Sequence, residues 1–157
     1  MSGLVLRQAT VADIPAMSRI RIAVRENALS NPGRITGAMY RDYLEALGRG
    51  WVAELGGEII GFSYADRTDS SIWALFVDPA HEGRGAGKQL LRLAAHWLFE
   101  IGNDEIRLGT AANTRADRFY AAQGWKREDM KDDIEVWFRL RRADWQRQRS
   151  QAALAAK

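Results

Sequence analysis

Leu75-Phe76-Val77-Asp78-Pro79-Ala80-His81-Glu82-Gly83-Arg84-Gly85-Ala86-Gly87-Lys88-Gln89-Leu90-Leu91 decides how the chain is read. An apolar, β-prone run ends at Asp78-Pro79, crosses a glycine-rich turn and opens directly into a helical pattern. The first N–H groups of a helix have no intrahelical partner, and the helix dipole favours an anion there. Gly83, Gly85 and Gly87 put no side chain between that backbone and a phosphate. Arg84 and Lys88 add positive charge on either side. The stretch reads as a cradle for a diphosphate.

Two familiar nucleotide motifs do not fit it. A P-loop needs Ser or Thr after Gly-Lys, but Gln89 follows Gly87-Lys88, and Glu82 stands where its first glycine belongs. The dinucleotide fingerprint G-x-G-x-x-G would need glycine at Lys88 and a place after the first strand of its unit.

Outward from the turn, the chain alternates strands and helices. Leu4-Val5-Leu6-Arg7 reads as a strand, and Thr10 and Asp13 cap a helix with Ile14, Met17, Ile20 and Val24 at helical spacing. Asn31-Pro32-Gly33 breaks it, and Thr36 starts a second short helix carrying Met39, Tyr43, Leu44 and Leu47. Trp51–Leu55 and Glu58–Tyr64, joined by Gly56-Gly57, form a hairpin, and Ser71–Val77 is the fourth strand. The glycine turn launches a helix from Gly85 to Glu100 with Leu90, Leu91, Leu93, Ala94, Trp97 and Leu98 as its buried side. Glu105–Gly109 is the fifth strand, expected to lie parallel to the fourth because a helix crosses between them. A helix over Asn113–Gln123 stops at Gly124, and strands over Trp125–Glu128 and Ile134–Leu140 follow. The predicted order, β-α-α-β-β-β-α-β-α-β-β, is a single mixed α/β domain over residues 1–142. Residues 143–157 are expected as a basic helix or tail.

Composition narrows the function classes. The chain has 157 residues, no cysteine, two histidines and a formal net charge of +3. Disulfides, thiolate catalysis and cysteine-ligated zinc are excluded, and His81 and His96 do not make a metal site. No metal is expected. No apolar run reaches bilayer length, and Met1–Val5 lacks a signal-peptide pattern, so a cytoplasmic protein without membrane contact is expected. Arg139, Arg141, Arg142, Arg147 and Arg149 crowd the C-terminal end. Without interleaved aromatics they read as a solvated tail, and no nucleic-acid partner is expected.

A second segment, Asn113-Thr114-Arg115-Ala116-Asp117-Arg118-Phe119-Tyr120-Ala121-Ala122-Gln123-Gly124-Trp125, completes the pattern. Ala116 and Tyr120 share a helix face one turn apart, so a small residue leaves room beside a phenol. Asn113 can cap that helix or bind an amide-rich ligand. Together with Val77-Asp78-Pro79 and Glu82-Gly83-Arg84-Gly85-Ala86-Gly87, the segment resembles the GCN5-related N-acetyltransferase (GNAT) superfamily. That family's turn reads Arg/Gln-x-x-Gly-x-Gly/Ala, and its later segment reads Asn-x-x-Ala-x-x-Phe-Tyr-x-x-x-Gly-Phe. The resemblance runs from Leu4 to Leu140. Glu82 departs from it, standing where Arg or Gln is preferred. Its side chain is therefore expected to face solvent, with slightly weakened binding.

The resemblance implies an acetyl-CoA-dependent enzyme that moves an acetyl group directly to a primary amine, expected to belong to a small molecule. It implies a splay between the fourth and fifth strands, with pantetheine along Leu75, Phe76 and Val77 and the Leu75 N–H polarising the thioester carbonyl. Glu82, Gly83, Arg84, Gly85, Ala86, Gly87 and Lys88 would line the diphosphate. Asn113, Ala116 and Phe119 would complete the cofactor contacts, and Tyr120 would give a proton to the departing thiolate. Histone-type members carry a basic glutamate at the place of Ser71. Here Ser71 with a water chain, or Glu26 from the first helix, would take that part. Trp73, Asp66 and Asp69 would face the acceptor amine, with Asp132, Asp133 and Glu135 as further acidic attractors. A homodimer is possible. The alternatives are a non-catalytic acyl-CoA-binding module and a protein N-terminal or lysine acetyltransferase.

Overall fold

Continuous burial over residues 50–53 and 60–66, and alternating burial over residues 105–108 and 135–140, set the architecture. The structure, a computed structural model, describes residues 3–25 and 46–155. The second helix expected from Thr36 falls on residues up to 45 that lie outside this range, as does Glu26. The described residues form seven strands and four α-helices, a mixed α/β fold. They group into two compact units, residues 1–97 and 98–157.

In the first unit, β1 (Leu4–Gln8), β2 (Gly48–Leu55), β3 (Glu58–Asp66) and β4 (Ser71–Val77) pair in that order, all antiparallel. The alternation of β3 places Phe62 and Tyr64 on one face and Ser63 on the other. Helix α1 (Ile14–Arg25) covers the first face, where fully buried Met17 and Ile20 meet Val52, Phe62, Tyr64 and Ala74. Truncating either helix residue would cost about 2–5 kcal/mol. The entry to α1 is held by Asp13, which accepts from the Thr10 N–H at 2.7 Å and from both terminal nitrogens of Arg7 at 2.8 Å. On the other face lies α2 (Ala86–Glu100), where the Ser63 hydroxyl donates to the Leu90 carbonyl at 3.1 Å. The Trp51 and Trp97 rings meet edge to face on that side at 6.0 Å.

In the second unit, β7 (Glu135–Arg141) pairs antiparallel with both β5 (Glu105–Ala111) and β6 (Lys126–Met130). Ile106, Leu108, Val136, Phe138 and Leu140 are buried, alternating with more exposed residues as a one-sided sheet requires. Helix α3 (Arg115–Ala122) lays Tyr120 against Phe138 at 5.8 Å. The C-terminal stretch is a helix, α4 (Arg142–Ala155), and its first turns are anchored. Arg142 donates to the carbonyls of Phe99 and Asn103, and Trp145 stacks on Phe99 at 5.8 Å. No helix among the described residues is long and apolar enough to cross a membrane.

Candidate active site

The strand β4 ends where the sequence places Asp78-Pro79. The Asp78 N–H donates to Ile60 of β3 at 2.7 Å, and its carboxylate accepts from the Ala80 N–H at 3.0 Å, turning the chain off the sheet. A short 3-10 turn (Pro79–His81) follows, with the His81 ring 3.7 Å from the Asp78 carboxylate. Gly83 and Gly85 then take φ of +81° and +83°. A Cβ at either position would meet no atom within 4 Å. The requirement for glycine is therefore conformational, and the space beyond these backbones is open.

The amides of this turn are unspent. Among the described residues, Gln89 is the first of the helix to donate to a backbone carbonyl, that of Gly85 at 3.2 Å. No N–H from Gly83 to Lys88 has a partner there. The first turn of α2 carries no acidic side chain that would fill the role of an anion. Ala86, 2% exposed, anchors the turn by packing inward while Gly83, Arg84, Gly85 and Lys88 stay exposed. Glu82 is exposed, as expected for a carboxylate beside an anion site. A run of free amides, a helix N-terminus and two cations can hold a diphosphate by charge-assisted hydrogen bonds. Coenzyme A carries such a group.

Leu75, Phe76 and Val77 are all partly exposed. Because the Asp78 N–H faces β3, strand alternation points the Leu75 and Val77 N–H groups to the opposite edge of β4. Phe76 packs its ring on Phe62 at 5.5 Å, so it offers a ligand main chain more than side chain. Trp73 is an extra residue in the β3–β4 register, which pairs Tyr64 with Ala74 and Ala65 with Ile72. Its ring lies 5.7 Å from Tyr64, half-buried against the α1 core. Ser71 is buried and donates to Asp69 at 2.5 Å. Asp66 is buried too, but one of its oxygens accepts from the Thr68 N–H and hydroxyl, closing the β3–β4 turn. Asp132 is similarly committed, to the Ile134 and Glu135 N–H groups, and Glu135 pairs with Lys131.

In the second unit, Thr114, not Asn113, caps α3, accepting from the Asp117 N–H at 3.3 Å. Asn113 has φ +62°, which rules out the extended backbone of a capping residue, and it is exposed. Its N–H donates to buried Asp117 at 2.7 Å. Ala116 and Phe119 are half-buried on the same helix. Tyr120 is 7% exposed, ringed by Phe119, Trp125 and Phe138. Burial pushes its phenol above the ordinary tyrosine range, which favours the protonated form. The helix ends at Gly124 with φ +88°.

Asp117 and Arg127 are the residues that motif reading passes over. Thr114-x-x-Asp117 is itself a capping pattern that could have flagged the carboxylate. Nothing in the sequence links it to Arg127, on the strand beyond the helix. Among the described residues no cluster of His, Asp or Glu is placed to hold a metal ion.

The acetyltransferase (GNAT) family model matches residues 20–125. The mouse (Mus musculus) protein "Probable N-acetyltransferase family 8 member 5" is 30% identical over 105 residues, 61% of this chain and 46% of that protein. The match thus spans about half the length of that curated relative. Among solved structures, ribosomal-protein-alanine N-acetyltransferase from Brucella melitensis superposes with a TM-score of 0.74 at 21% identity, covering 87% of this chain and 99% of that one. The PaiA N-acetyltransferase from Thermoplasma acidophilum, solved with coenzyme A, superposes with a TM-score of 0.72 at 17% identity, covering 88% and 98%.

Proposed function

The chain belongs to the acetyltransferase (GNAT) family, and from that membership we propose that it is an acetyl-CoA-dependent N-acetyltransferase acting on a primary amine of a small molecule. The observation that carries this is the set of unpartnered amides from Gly83 to Lys88 at the head of α2. Acetyl-CoA supplies an activated acetyl thioester. Everything else is the work of the chain.

The amides of Gly83 to Lys88, with Arg84 and Lys88, hold the diphosphate. The Leu75 and Val77 main chains orient the pantetheine, and the Leu75 N–H polarises the thioester carbonyl. Asn113, Ala116 and Phe119 are the remaining proposed cofactor contacts. Ser71 accepts a proton from the acceptor ammonium while its own goes to Asp69, leaving the nitrogen lone pair free for the acetyl carbon. As the carbon–nitrogen bond forms and the carbon–sulfur bond breaks, Tyr120 gives its proton to the sulfur. Burial makes this phenol a weaker acid, but the same apolar surroundings raise the proton affinity of a thiolate expelled beside it.

A second reading, a non-catalytic acyl-CoA-binding module, draws on Ser71 itself, since no glutamate stands where histone-type members keep their base. Thiol release from acetyl-CoA across a panel of small amines, lysine peptides and free N-terminal peptides separates the readings. Turnover on small amines, lost in Ser71→Ala and Tyr120→Phe, is expected. Tight CoA binding with no turnover on any amine selects the module, and turnover on peptides alone moves the acceptor to proteins.

A further inference from the structure

Besides Ser70, Asn113 is the only non-glycine residue with positive φ among the described residues. That backbone is disfavoured by a Cβ, and asparagine tolerates it better than most. Something must hold it there. Its N–H donates to Asp117 Oδ2 at 2.7 Å, and Asp117 is 6% exposed. Arg127 grips that carboxylate from the start of β6, its Nε at 3.1 Å from Oδ1 and 3.2 Å from Oδ2, its Nη2 at 3.1 Å from Oδ2. Next to Asn113, the Thr114 hydroxyl donates to the Ala111 carbonyl at 2.7 Å, and the Ala112 N–H to Ile134 at 2.9 Å. The connection from β5 to α3 is thus fixed at successive residues. The Asn113 side chain is the exception, since it is exposed and no hydrogen bond among the described residues uses its amide.

A loop pinned around one exposed, uncommitted amide is built to present that amide. We propose that Asp117 and Arg127 form a positioning pair, which locks the left-handed backbone of Asn113 so that its side chain meets the acyl-CoA ligand. Neither member of the pair touches the ligand. The inference rests on the reading of Asn113 as a cofactor contact.

The test combines calorimetric titration with CoA and steady-state kinetics on the full chain, using Asp117→Ala, Arg127→Met, Asn113→Gly and the two doubles with Asn113→Gly. Loss of one charge-assisted hydrogen bond predicts that Asp117→Ala weakens CoA binding and raises the KM for acetyl-CoA about tenfold, with kcat within about twofold. Arg127→Met follows in the same direction, and Arg127→Lys restores part of the loss. Glycine at 113 needs no lock and has no amide. In that background, adding Asp117→Ala should therefore cost less than about a further twofold. The same tenfold penalty in the glycine background would mean a purely structural role and overturn the proposal. So would an unchanged KM in Asp117→Ala and Arg127→Met. If Asp117→Ala does not fold, Arg127→Met, which leaves the Asn113 bond in place, decides by the same criteria. Wild-type protein that binds no CoA would overturn the functional reading and this inference together. Binding by the wild type with no loss in the variants overturns the inference alone.

Discussion

The turn at Gly83–Lys88 and the connection at Ala111–Thr114 are each proposed to contact acyl-CoA, yet they are built in opposite ways. The first is shaped by backbone conformation, with two glycines at positive φ and, among the described residues, no hydrogen bond taken up by its amides. The second is shaped by side chains. Asp117, Arg127 and Thr114 hold a non-glycine residue in the same region of backbone space. The contrast teaches that a free amide can be supplied by leaving groups unpaired or by pairing everything around one group. The first route needs only glycine, whereas the second needs a network.

The largest effect should come from the proposed acid, Tyr120. Tyr120→Phe keeps the ring packing on Phe138 and removes only the hydroxyl. It should lower kcat about a hundredfold, with an unchanged melting temperature and CoA affinity. A matching loss of affinity would make Tyr120 a binding residue. Next come the glycines. Gly85→Val puts a β-branched residue at φ +83° and a side chain into the open space in front of the amides. CoA affinity should fall about five- to thirtyfold, since the left-handed region alone costs about 1–2 kcal/mol. Retained affinity would erase the contrast, because the turn would then not be working through its backbone.

Acid titration probes the side-chain half. The Arg127 guanidinium and the Asn113 N–H hold the Asp117 carboxyl below the usual carboxylate range, and Arg7 does the same for Asp13. An unfolded-chain aspartate titrates near about 3.9, so these contributions are complete above that pH and are lost as pH falls through the lower folded values. The melting temperature should decline below about pH 4. Asp117→Asn should start lower at neutral pH and decline less steeply. An identical acid slope in the variant would show that Asp117 carries no such linkage. The smallest effect belongs to the C-terminal arginines. Arg147→Gln with Arg149→Gln should change CoA affinity by less than about twofold, because exposed charges act weakly. A larger loss would bring α4 into the binding surface.

What the sequence made legible follows the same division. Strand Ser71–Val77 and the helix after the glycine turn are where the pattern puts them, because glycines and apolar periodicity act locally. Strand β2 starts at Gly48, earlier than the Trp51 read from composition, because Gly48, Arg49 and Gly50 pair with Asp66, Ala65 and Tyr64. That is a partner's contribution, which no window of local sequence contains. Asn113 carries a capping residue's chemistry, but the cap is one position later. Its true restraint comes from Asp117 and from Arg127 on the next strand. The capping pattern Thr114-x-x-Asp117 marks the carboxylate, but no local motif marks Arg127, which reaches it from the next strand.

Amide-resolved NMR of the 15N-labelled chain during titration with CoA tests the central assignment most directly. The backbone amides of Gly83 to Lys88 should shift strongly and saturably, because their N–H groups gain phosphate acceptors, and the shifts should vanish in Gly85→Val. Saturable CoA binding that moves other resonances and leaves these amides in place would contradict the account.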